Sequence, residues 1–197
     1  METGNPRGVH PVHSWQETLP STTHPPAPGR YRDSGVPLLT EVAVDHLENN
    51  TIIQIGIVVR DVEDAATRYA QIFGVPKPQI VAIAADSFAN THYRGQPSNA
   101  WGKAAFFDMG AVQLELIEPV GAPSTWEEFL RLHGEGIHHI AVRVEQLEEA
   151  QAFLAARGMP VVQSGGWDGG RYAYIDSVKQ LGAMLELLKF DRETSRQ

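Results

Sequence analysis

Two stretches of this 197-residue chain carry the same pattern, and that repetition constrains its fold more than any other feature. Setting Gln54 against His139 pairs Ile55 with Ile140, Ile57 with Val142, Val59 with Val144, Val62 with Leu147, Glu63 with Glu148 and Ala65 with Ala150. Setting Glu115 against Glu186 pairs Leu114 with Leu185, Leu116 with Leu187 and Ile117 with Leu188. Two long copies argue for a duplicated module. A solenoid would need more and shorter repeats.

Each copy reads as β-α-β-β-β. In the first, residues 52–59 are β-branched and form a strand. Asp61 caps a helix from Val62 to Phe73, which Gly74 ends and Pro76 and Pro78 prevent from continuing. A strand over 79–85 leads into a polar and aromatic connection, 86–102. Strands over 104–109 and 111–118 then turn at Gly110. Residues 119–135 join the copies. There Ser124 with Glu127, or Thr125 with Glu128, starts a short helix over 126–132. The second copy runs as a strand over 137–144, a helix over 147–157 and a strand over 160–163. A turn rich in glycine follows (Gly165, Gly166, Gly169, Gly170), then strands over 172–176 and 183–190. The expectation is an α+β fold of two paired βαβββ modules, 51–118 and 136–190.

The flanks differ. Residues 1–50 begin as a proline-rich arm without helix or strand period and are expected to be poorly ordered. Within them, 37–49 is apolar enough to dock, as a short helix or a strand. Residues 191–197 are a charged tail. A net charge of −8 leaves no basic footprint for nucleic acid or an anionic membrane. The absence of cysteine excludes disulfides, thiolate metal sites and cysteine nucleophiles. There is no bilayer-spanning apolar run and no signal-peptide pattern, so a soluble, cytoplasmic protein is expected.

The repeat also pairs polar residues. Strand alternation puts Ile140, Val142 and Val144 on one face and His139 on the other. It likewise separates Glu115 from Leu114 and Leu116, and Glu186 from Leu185 and Leu187. His138, one residue out of phase, is expected on the side of a helix layer or an interface. A carboxylate facing a concave sheet interior must be paired or bound, because desolvating it alone costs several kcal/mol. Gln54, Glu115, His139 and Glu186 together offer one nitrogen and three oxygens, with two negative charges to balance a divalent cation. Such a set suits Zn, Ni, Co, Mn, Mg or Fe.

The segments IQIGIVVRDV, QLELIEP, GIHHIAVRV and LGAMLELL resemble those of the vicinal oxygen chelate superfamily, over about residues 51–190. That group includes lactoylglutathione lyases (glyoxalases), methylmalonyl-CoA epimerases, extradiol dioxygenases and metal-free bleomycin-binding proteins. The resemblance implies curved sheets around a metal-binding cleft, with ligands at Gln54, Glu115, His139 and Glu186. Gln followed by Glu, His and Glu is similar to the ligand set of some lactoylglutathione lyases. The epimerase set has His first and Gln second, so this chain departs from it in the first module. The stretch from Glu115 to Val144 is nonetheless more similar to epimerase-like members.

The chemistry implied is proton abstraction next to a carbonyl by a metal-dependent isomerase, epimerase or lyase. Glu186 would be the base, and Glu115 would return the proton on the other face. The substrate would be a small carbonyl compound or thioester. His92, Tyr93, Arg94, Trp101 and Lys103 of the long connection, and Arg171 with Trp167 and Tyr172 near the glycine turn, are its candidate contacts. A homodimer is expected on symmetry grounds. The alternatives are an extradiol-type dioxygenase, which Gln54 in place of a first His disfavours, and a metal-free small-molecule binding protein.

Overall fold

The structure is a computed structural model that describes residues 46–85 and 88–191. The expectations for the arm up to residue 45, and for the tail beyond Asp191, lie outside the described residues. Those described all fall within the compact unit Val42–Gln197.

The first module begins with β1 (Ile52–Val58) and α1 (Val62–Phe73). Asp61 accepts a hydrogen bond from the Asp64 backbone amide at the start of α1, and Gly74 ends it at φ 66°. Then come β2 (Val81–Ile83), a two-residue pair β3 (His92–Tyr93) and β4 (Gln96–Pro97), and the hairpin β5 (Trp101–Asp108) and β6 (Gln113–Val120). The linker holds α2 (Thr125–His133), capped by Ser124 through the Glu127 amide. The second module is β7 (Gly136–Arg143), α3 (Leu147–Ala155), β8 (Val161–Trp167), β9 (Gly170–Ile175), α4 (Val178–Leu181) and β10 (Met184–Phe190).

All ten strands form one curled mixed sheet, ordered β2-β5-β6-β1-β7-β10-β9-β8-β3-β4. Its first eight strands read as a palindrome of the two modules. The centre is the antiparallel β1–β7 pair, in which Ile55 faces Ile140, the two residues that the repeat also equates. The register outside that pair repeats too. Gly56, two residues after Gln54, faces Glu115 across the parallel β1–β6 pair. Ala141, two residues after His139, faces Glu186 across β7–β10. A pseudo-two-fold axis therefore passes through the Ile55–Ile140 seam.

α1 and α3 pack on the outer face. α1 covers Leu114, Leu116, Ala105 and Phe107 with Val62, Ala65 and Ala66. α3 covers Val142, Val144, Leu185 and Leu187 with Leu147, Ala150 and Leu154. Burial of these side chains, roughly 1.5–3 kcal/mol for each large one, fixes which face of every strand points inward. No side chain caps the start of α3. Instead Glu48 Oε1 accepts from the Gln146 amide (2.8 Å) and Oε2 from that of Glu145 (3.3 Å), while Leu47 packs against the same core. Leu47 and Glu48 thus dock on the second module. Among the described residues no helix is long and apolar enough to cross a membrane.

Two local departures from expectation have physical causes. The long connection contributes β3, which pairs His92 with Ser164 and Tyr93 with Gln163 on the edge of the other module's sheet, covering an edge that would otherwise be open. Gly165 and Gly166 lie within β8, and the turn is confined to Asp168 and Gly169. Both are strand glycines because the chain crosses there at close range. A β-carbon on Gly165 would stand 2.7 Å from the Tyr172 ring and 2.8 Å from the Ala89 carbonyl oxygen.

Candidate active site

On the inner face Glu115, His139 and Glu186 come together from β6, β7 and β10. One ligand-type atom from each lies within 4.8 Å of the others. His139 Nε2 is 3.1 Å from Glu186 Oε2 and 3.4 Å from Glu115 Oε2. The imidazole has no exposed surface, and both carboxylates are buried. Two of these atoms, His139 Nε2 and Glu186 Oε2, have no hydrogen-bond partner despite their burial. They approach each other off the hydrogen-bonding direction, which leaves a polar point between them that the protein itself does not satisfy.

Gln54 on β1 lies on the wall of the same cavity as Glu115 and Glu186. Its Nε2 donates to Gln113 Oε1 at 2.8 Å. The amide nitrogen is thereby committed, and Oε1 is the end left for a ligand.

A β-bulge shapes the site. Across β1–β7, Gly56 faces His139 and Ile57 faces Ile137, so His138 has no opposite number. The bulge turns both His138 and His139 into the interior, where alternation alone would have put them on opposite faces. His138 Nδ1 lies 3.0 Å from His139 Nδ1. Its ring is held edge-on by Phe129 of α2 and by Tyr174. His138 thus lies against α2 and also touches His139, where its phase had implied the opposite face. Gly56 is the other half of this arrangement. A β-carbon there would fall 1.8 Å from Cε1 of His139, so the imidazole occupies the volume that a side chain would need.

The electrostatics follow from burial and proximity. Burial lowers the His139 pKa, but Glu186 and Glu115 more than offset this and raise it to about 9. In the protein without bound metal His139 is therefore an imidazolium between carboxylates. Burial raises the Glu115 carboxyl above the usual range, against the opposing pull of His139. Burial also holds His138 well below the ordinary imidazole value, with the neighbouring His139 adding to the effect, so His138 is neutral. The Tyr172 phenol is pushed up to about 12 by burial and Tyr174 is raised further, so both keep their protons.

The group opens onto a cavity of about 560 Å³ whose walls are mainly apolar and aromatic, including Ile83, Phe106, Trp126, Trp167, Tyr172 and Leu188. Among the described lining residues the only charged groups are Glu115 and Glu186. Trp126 donates Nε1–H to Tyr174 Oη at 3.1 Å and forms part of this wall. Of the side chains expected to touch substrate, Trp167 and Tyr172 line the cavity. The others are placed elsewhere. His92 Nδ1 meets the Asn90 carbonyl oxygen, and Tyr93 and Arg94 both donate to Glu128 on α2. Lys103 pairs with Glu118, and Arg171 with Glu148. Trp101 lies in β5 opposite Val120. Sequence reasoning missed Gly56, Phe106 and Tyr174. For Gly56 a signal existed, since a glycine inside a β-branched strand marks close approach of another group. The two aromatics carried none beyond their place on inward-facing strand positions.

Comparison with known proteins agrees with this architecture. The family described as Glyoxalase/Bleomycin resistance protein/Dioxygenase superfamily matches residues 53–174. The uncharacterized protein YqjC of Bacillus subtilis is 30% identical over 141 residues, 70% of this chain and 91% of its own. Among solved structures, a hypothetical protein from Bacillus halodurans aligns with a TM-score of 0.53 at 23% identity, covering 72% of this chain and 95% of its own. Methylmalonyl-CoA epimerase from Mycobacterium tuberculosis aligns with a TM-score of 0.50 at 20% identity, covering 75% and 94%. A methylmalonyl-CoA epimerase in complex with methylmalonyl-CoA and NH4+ gives 0.51 at 20%, covering 72% and 95%. At these identities the structures speak for the fold.

Proposed function

The chain belongs to the glyoxalase/bleomycin resistance protein/dioxygenase superfamily, and from that membership we propose that it is a divalent-metal-dependent isomerase, epimerase or lyase that moves a proton on the carbon next to a carbonyl. The observation that carries this reading is the buried Glu115–His139–Glu186 group, with its unsatisfied polar point at the floor of an apolar cavity. One imidazole nitrogen and two carboxylates balance a divalent charge, and the Gln54 amide oxygen supplies a fourth donor. Zn, Ni, Co, Mn, Mg and Fe all accept such a set. When bound, the ion would supply Lewis acidity to a substrate carbonyl and to the negative charge that develops on its oxygen.

The protein's own groups supply the proton chemistry. Glu115 and Glu186 come from strands on opposite sides of the central β1–β7 pair, so they flank whatever lies at the floor. We assign Glu186 as the base that takes the proton. Glu115, on the other side of the seam, is the partner through which a proton returns on the opposite face. Trp126, Trp167 and Phe106 exclude water from the reacting carbon. The apolar walls suit the uncharged acyl part of a thioester or hemithioacetal. The dioxygenase alternative asks for two imidazoles and one carboxylate at the metal. This group presents one imidazole and two carboxylates, because His138 directs Nδ1 to His139.

The test is metal analysis of protein purified without chelators, followed by solvent deuterium exchange into candidate acyl thioesters and 2-oxoaldehyde hemithioacetals. The expected result is about one equivalent of divalent ion and exchange that chelation abolishes. Protein that takes up no ion, and gains no exchange activity from added divalent ions, would end the proposal.

A further inference from the structure

Metal-binding histidines depend on what holds their second nitrogen, because that contact fixes the tautomer and the ring orientation. In this protein the second nitrogen of His139 is Nδ1, and it faces another histidine, His138, at 3.0 Å. Two ring nitrogens at that distance form a hydrogen bond only if one carries a proton and the other a lone pair. With His139 neutral, as a metal ligand must be, two arrangements satisfy this. In one, His138 donates and His139 accepts, which puts the proton of a neutral His139 on Nε2, facing Glu115 and Glu186, and closes that nitrogen to a metal. In the other, His139 donates from Nδ1, His138 accepts at Nδ1, and Nε2 of His139 is free to present a lone pair to the carboxylates' side.

We propose that His138 is the positioning residue of the metal site, accepting the Nδ1–H of His139 and so presenting Nε2 of His139 as a ligand. This rests on the reading of Glu115, His139 and Glu186 as metal ligands. Three features of the fold build the contact. The bulge at Gly56, Ile57 and Ile137 brings both rings to the same side of β7. Gly56 leaves the volume in which the His139 ring lies. His138 is 3% exposed and its ring is fixed at near-right angles by Phe129 (89°) and Tyr174 (83°), so it cannot turn its other nitrogen to His139 without disturbing both. The acceptor role leaves the His138 proton on Nε2, a buried atom on which the Thr125 backbone acts without completing a well-formed hydrogen bond. The sequence dipeptide His138-His139 therefore encodes a ligand and its orienting partner.

Two measurements on the full-length protein decide the proposal. The first is long-range 1H–15N correlation of the histidine rings in metal-free wild type. His138 is expected to be unprotonated at Nδ1 and protonated at Nε2, and a proton on His138 Nδ1 overturns the assignment whether or not metal binds. The second is affinity for Ni2+ and Co2+ by chelator competition. His138→Phe keeps an aromatic ring but removes the acceptor, and should weaken binding by about 10–100-fold. His138→Asn, whose Oδ1 can stand near the position of Nδ1, should recover most of the loss. His138→Phe that folds and binds as tightly as wild type overturns the proposal. Wild type that binds neither ion overturns the metal reading itself, and the ring spectra then still decide which nitrogen of His138 accepts.

Discussion

A β-carbon added to Gly56 would stand 1.8 Å from Cε1 of His139, 2.3 Å from Nε2 and 2.4 Å from Nδ1, well inside any tolerable contact. The two residues face each other across the seam of the fold. Gly56→Ala therefore cannot keep both the strand pairing and the ring position. It should lower stability by about 1–3 kcal/mol, the usual cost of overpacking. It should also weaken metal binding and turnover on the order of 100-fold, since a displacement of about 1 Å at a reacting group has that effect. Urea unfolding and chelator competition measure the two losses. A Gly56→Ala protein with wild-type values for both would show that the ring does not sit where it is described.

The two carboxylates can be separated by substitution. Glu186→Gln and Glu115→Gln keep size and remove the charge. Each should slow turnover by about 10²–10⁴-fold, as expected for loss of an acid–base group. Only Glu186→Gln should abolish the first exchange of substrate hydrogen with solvent deuterium. Equal exchange in Glu186→Gln and wild type would transfer the base role to another group.

The metal-free protein should lose stability as the solution becomes basic. His139 ionises at about 9 when folded, above the ordinary value of 6.5. Between those values the folded state binds more protons than the unfolded state. Its stabilising contribution is thus complete below about pH 6.5 and is lost as pH rises through 9. Glu115, raised above its ordinary range, acts in the same sense at lower pH. Urea midpoints of chelator-treated protein at pH 6, 8 and 10 should fall in that order. Metal-loaded protein should not follow this trend, because a bound cation takes the place of the His139 proton. A midpoint that rose with pH in the metal-free protein would contradict the arrangement of charges.

Glu48 stands in for the missing side-chain cap of α3 by accepting from the Glu145 and Gln146 amides. Glu48→Ala should cost about 1 kcal/mol, in the range of helix-cap deletions. The loss should appear in denaturant unfolding without change in metal affinity. An unaltered midpoint would remove Glu48 from that role.

Much of this was legible in the sequence because it is local or repeated. α1 runs from Val62 to Phe73 as expected, since Asp61 and Gly74 mark its ends chemically. The inward placement of Glu115 and Glu186 followed from the leucines on either side, which belong under the helices. What was not legible depends on partners far away in the chain. Nothing between Pro78 and Trp101 announces that His92 and Tyr93 will pair with Ser164 and Gln163. The polar side chains of that connection looked available for substrate, but Glu128 and Asn90 engage Tyr93, Arg94 and His92. The bulge is a third case. Strict alternation separates His138 from His139, and only the unequal count of residues across β1 and β7 brings them to one side.

A pocket lying on a two-fold axis offers a ligand the same groups in two orientations related by a half-turn, so its symmetry alone does not choose which end of an unsymmetrical molecule lies on which side. Here the Ile55–Ile140 seam supplies such an axis, with one glutamate on either side. The exchange of an imidazole for an amide at Gln54, together with the doubled histidine of β7, makes the two halves unlike. The duplicated frame sets two carboxylates at matched stations, and the departures from duplication give the site one preferred orientation for an unsymmetrical ligand.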